Sequence, residues 1–113
     1  MLRWSAENSK HTLNPAAIID ASQQTGIPSG DALISLVNAS MLGTGHDREQ
    51  ARVRLLAELG PDGLISAAST YGNFEMMNRI AEGTGIRASG AGYASSTKWR
   101  EQLGLDRFGK GYE

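Results

Sequence analysis

Apolar and polar positions along the chain recur at helical spacing, and no stretch alternates at period two over the length of a strand. Asn14 followed by Pro15 reads as an N-cap with proline at the first helical position, which predicts a helix over 16–25 closed by Gly26. A second helix is expected from Asp31 to Leu42, with Leu33, Ile34, Leu36, Val37 and Met41 forming a wide apolar face. Gly43-Thr44-Gly45 breaks it. Asp47 with Gln50 three residues on predicts a capped third helix to Leu59. Its Val53, Leu55, Leu56 and Leu59 would point inward, and Arg48, Glu49, Arg52 and Arg54 outward. Gly60-Pro61 then stops it.

The longest expected helix starts near Asp62 and runs to about Glu82, roughly 30 Å at 1.5 Å per residue. Leu64, Ala68, Tyr71 and Met77 lie along one side, and Ile65, Met76 and Ile80 widen the apolar surface. Ala67, Ala68 and Gly72 are small enough to let a neighbour approach closely. This pattern predicts a central helix packed on more than one side, with Phe74 buried. Gly83-Thr84-Gly85 ends it. Residues 87–94 read as a Gly/Ala/Ser loop, and Ser96 as the cap of a short helix to Leu103 that carries Trp99. The segment after Gly104 reads as an arm. The expected fold is therefore all-α, a single domain of about five helices.

Composition narrows the classes of chemistry. The chain has 113 residues, 40% apolar and 20% charged, a globular balance. With a net charge of -1, no broad basic surface for nucleic acid or anionic lipid is implied. No run approaches the ~20 apolar residues of a membrane span. The first residues lack the continuous apolar stretch of a secretory signal, so the cytoplasm is the expected compartment. Cysteine is absent, which removes disulfides, Cys-ligated zinc and thiolate nucleophiles. No dithiol-dependent peroxide turnover is expected from such a chain. No cofactor motif is read either. Gly83-Thr84-Gly85-Ile86-Arg87-Ala88 fits a loose GxGxxA pattern, but it follows a helix where a dinucleotide site needs a strand.

The candidate acid/base groups are few. His11 and His46 are the only imidazoles. His11 lies four residues after Glu7, so the two meet if that segment is helical. His46 adjoins Asp47 at a helix start. Either pair has the residue types for proton transfer, with the carboxylate orienting the ring. Both histidines are equally suited to surface or capping positions. Ala21 to Asn38 has the outline of a helix-turn-helix, yet its second helix offers Asp31, Ser35 and Asn38 and no Lys or Arg to contact phosphates. Asn73, Glu75, Asn78 and Arg79 stand on the long apolar helix. If buried there, they need partners, and a clamp onto loop carbonyls, a carboxylate or a second subunit would supply them.

Leu64 to Ile86 carries a small-residue helix, then Asn73-Phe74, then Asn78-Arg79-Ile80-Ala81 and Thr84-Gly85-Ile86. Together with the Leu55-Leu56 helix and Leu59-Gly60, this resembles the C-terminal part of carboxymuconolactone decarboxylase-like proteins, the family that includes AhpD-like alkylhydroperoxidases. The resemblance covers 31–86, about half the chain, and implies an AhpD-like helical bundle. The peroxidatic members use an ExxCxxCxxxH motif. With His11 set as its histidine, the cysteine positions fall on Trp4 and Glu7 and the leading Glu on Met1, so the redox motif is missing. The chain thus looks like the second half of that fold with a replaced or truncated first half. The expected function is association, as a homo-oligomer or with a partner chain that supplies the missing half. The alternative is a cysteine-independent lyase- or isomerase-type enzyme using a His/carboxylate pair. A helix-turn-helix nucleic-acid binder is the weaker alternative.

Overall fold

The computed structural model describes residues 8–86 and 90–108. Asn14 does cap the first element: its side chain accepts from the Ala16 N–H, and Pro15 opens the turn. The element is a 3-10 turn, Pro15–Ile18, rather than the expected helix to Thr25. Asp20 is the reason. Its carboxylate accepts from the Ser22 N–H and hydroxyl and from the Gln23 side chain, a local turn that competes with helical hydrogen bonds. The Asn14 amide then bonds the Gln23 side chain and the Gln24 carbonyl, and its backbone N–H bonds the Thr25 carbonyl at 2.9 Å. Residues 11–14 and 23–26 are thereby tied together. Gly26 sits so close that a Cβ there would lie 1.8 Å from the Thr12 carbonyl oxygen, so only glycine fits.

Four α-helices follow among the described residues: α1 Gly30–Leu42, α2 Gly45–Thr84, α3 Gly90–Ser95 and α4 Thr97–Gln102. A second 3-10 turn spans Leu105–Phe108. No strand is present among them. The fold is all-helical, with four α-helices where about five were expected. Two of the expected helices follow one another directly here, and the expected stop falls at Gly60, whose backbone is not helical. Its φ of 71° and ψ of -179° are open to glycine alone. The extended ψ is what the residue before a proline adopts, and Pro61 restarts the helix with its own φ already set. Helix α2 therefore has two limbs, residues 45–59 and 61–84. Gly85 closes the second in the left-handed conformation.

The N-terminus of α2 also differs in register from expectation. Thr44 is the cap, and Asp47 is its third helical residue, not the cap itself. The Thr44 hydroxyl accepts from the Asp47 N–H while the Asp47 carboxylate accepts from the Thr44 N–H at 2.7 Å, a reciprocal pair.

Helix α1 packs on α2 through a narrow seam. Ala32, Leu36 and Ala39 from α1 meet Ala51 and Leu55 from α2, and Leu55 is fully buried. The 4-3 spacing in α1 and the 4 in α2 place these on single faces, and the alanines allow close approach. Leu33, Leu64 and Ala67 extend the cluster. Two expectations fail here. Val53, Leu56, Leu59 and Met41 are exposed, because α1 covers only one stripe of its partner. Phe74 is 49% exposed, because α1 has 13 residues and reaches only the start of the second limb. Helix α4 returns to lie against the Pro15–Ile18 turn. Its Arg100 guanidinium stacks 3.8 Å over the Tyr93 ring of α3.

Candidate functional site

The α1–α2 packing sets Arg54 at a junction of surface depressions. One, of about 500 Å³, is lined by His11, Thr25, Asp31, Arg54 and Glu58 together with the 26–30 turn. Another, of about 490 Å³, is lined by Ser35, Asn38, Asp47, Gln50 and Arg54. Both are open at the surface. Arg54 borders the two, and its Nε donates to the Glu58 carboxylate at 2.8 Å. That hydrogen bond, with one from the Ser29 hydroxyl, holds the Glu58 carboxyl below its ordinary pKa despite partial desolvation. Arg54 reaches Ser35 Oγ at 3.5 Å. The sequence pattern assigned Arg54 to the solvated face. Only the angle at which α1 lies across α2 turns it toward the groove, and periodicity within one helix holds no such information.

The expected site residues are spread out. His11 is exposed and shares its depression with Asp31 and Glu58. Glu7, its expected partner, lies outside the described residues. His46 is exposed in the first turn of α2 and lines neither depression. Asp47 lies at the other end of the groove, engaged by Thr44. The Thr44 hydroxyl and N–H bonds keep the Asp47 carboxyl below its ordinary pKa, with His46 and Arg48 adding to the effect. Among the described residues no hydrogen bond joins His11 or His46 to a carboxylate. Asp47 and Glu58 are both held as anions, so neither is poised to give up a proton near neutrality. No group of three or more His, Asp or Glu able to hold a metal ion occurs among the described residues.

The polar residues of the second limb also have defined places. Asn73 and Asn78 are exposed. Arg79 is 64% exposed and lies on its own helix between Glu82, at 2.8 Å, and Glu75, at 3.6 Å. Exposed apolar side chains share this limb with them. Ile65, Met76 and Ile80 are 63%, 54% and 53% exposed, and Phe74 and Met77 join them. The sequence pattern showed this limb to be apolar on several sides, and the structure leaves those sides uncovered. No described helix is long and apolar enough to cross a membrane. The helix-turn-helix outline at Ala21–Asn38 is not formed, since residues 21–29 are turns rather than a first helix.

No protein-family profile matches the chain, and no curated protein and no solved structure matches it significantly.

Proposed function

We propose that the chain acts through association, as a cysteine-free helical domain of the carboxymuconolactone decarboxylase-like or AhpD-like type, with the 61–84 limb of α2 as its docking element. The observation that carries this reading is the exposure of large apolar side chains on that limb, Ile65, Met76 and Ile80 along one side and Met77 and Phe74 on others. Exposed apolar faces of this kind mark interaction sites. The resemblance of 31–86 to that family's C-terminal part supports a helical bundle that association would complete. Light scattering on dilute protein tests the reading. It predicts a mass above that of one chain, lowered by Ile80→Glu. A single-chain mass unaffected by that substitution overturns it.

A second reading, a cysteine-independent lyase- or isomerase-type enzyme, draws support from one observation: His11 shares a depression with Asp31, Arg54 and Glu58. Titration of both imidazoles by NMR tests it. An enzyme of this kind requires the His11 midpoint to move on Glu58→Gln, and two midpoints like free imidazole in both proteins exclude it.

A further inference from the structure

The second limb carries a face whose sizes are complementary to themselves. At 100° per residue, Ile65, Ser69, Gly72, Met76 and Ile80 fall within an arc of about 80°. Laid antiparallel against a copy of itself about a point between Gly72 and Asn73, this face sets Ile65 opposite Ile80 and Ser69 opposite Met76, with the two Gly72 residues one position apart at the centre. Each large side chain at mid-face then meets a small one, the two isoleucines close the ends, and the glycines permit a close crossing at the centre. Nothing among the described residues occupies the space a Gly72 side chain would take. Residues 63–74 contain no charged side chain. Beyond them, Arg79 is already paired within its own helix. The middle of the face is thus uncharged, with Asp62 and Arg79 towards its ends, and an isologous contact brings no like charges together at its centre.

The area agrees. The chain exposes 8498 Å², against roughly 6,000 Å² for a monomer of its mass. A standard interface covers about 800 Å² on each partner, well within the difference.

We infer that the partner of this limb is a second copy of the chain, paired antiparallel through Ile65, Ser69, Gly72, Met76 and Ile80 about a two-fold axis beside Gly72. This rests on the association reading above and specifies its partner and geometry. The cysteine-free sequence makes the test clean, since any introduced thiol is the sole one. Gly72→Cys, Ser69→Cys and Met76→Cys are prepared singly and treated with a short bifunctional maleimide. Antiparallel pairing predicts covalent dimer from Gly72→Cys alone, and from an equal mixture of Ser69→Cys and Met76→Cys, with little from either of these two alone. Homodimers of Ser69→Cys and of Met76→Cys would show a parallel pair and overturn the arrangement. A stable oligomer by light scattering that yields none of these products overturns this inference while leaving association standing. A single-chain mass by light scattering overturns both. A second variant separates interface from folding. Gly72→Gln improves helix propensity, so it should raise helicity in the monomer yet weaken dimerisation at least 10-fold, and unchanged dimerisation would contradict the crossing point.

Discussion

At the scale of single residues, the structure's polar groups act on local backbone more than on one another across the fold. Thr44 and Asp47 exchange bonds that satisfy the first N–H groups of α2. Thr44→Ala should therefore cost about 1 kcal/mol by urea denaturation near neutral pH. The pH dependence has a definite sign. The Asp47 pKa is depressed in the folded chain, first by the Thr44 hydroxyl and then by the Thr44 N–H. Its contribution is therefore complete above the ordinary carboxylate pKa and fades as pH falls through the depressed folded value. Asp20 is depressed in the same sense by Ser22 and Gln23. The difference between the parent and Thr44→Ala isolates the Asp47 part and should shrink on acidification. A difference independent of pH would remove the capping role. Arg79, which bridges two carboxylates of its own solvated helix, should be replaceable. Arg79→Ala and Arg79→Lys should each shift stability by under about 0.5 kcal/mol, and a loss beyond about 1 kcal/mol in both would reveal a partner outside the chain.

At the scale of elements, Gly60 and Pro61 decide the architecture. Gly60→Ala should cost about 1–3 kcal/mol, because its backbone conformation excludes a Cβ even though the surrounding space is open. Thermal melts that match the parent would mean that the corner tolerates other geometries. The core seam gives the opposite contrast. Leu55→Ala truncates the largest fully buried side chain among the described residues and should cost about 2–5 kcal/mol, whereas Phe74→Ala in dilute protein should cost nearer 1–2 kcal/mol, since half the residue is already in water. Equal losses would place Phe74 in a core. These elements also show how far the sequence reaches. The Asn14-Pro15 start, helix α1 and the stop at Gly85 were legible because each depends on residues within a few positions. The lost 16–25 helix was not, because Asp20 sits where periodicity predicts continuation but its side chain satisfies the backbone of a turn instead. Val53 and Leu56 were assigned inward because amphipathic spacing reports an apolar face without reporting whether anything covers it. Arg54 is exposed as its polar face predicts; what spacing within one helix left unseen is that it borders the groove beside α1, and Glu7 lies outside the described residues.

At the scale of the whole molecule, the radius of gyration is 15.5 Å, where a compact chain of this length has about 13 Å. The α1–α2 seam, small and alanine-rich, accounts for the first limb of α2 and leaves the second with apolar sides facing water. Burial is what stabilises a domain of this size, and small domains gain most from sharing surface with another chain. As proposed above, the 61–84 limb docks to a second copy of the chain. Sedimentation velocity across a dilution series measures this directly. Antiparallel pairing predicts a species of twice the 12.1 kDa chain mass that dissociates on dilution, with amides of residues 65–80 losing hydrogen-exchange protection as it does. A single 12.1 kDa species at every concentration, with those amides firmly protected throughout, would contradict it.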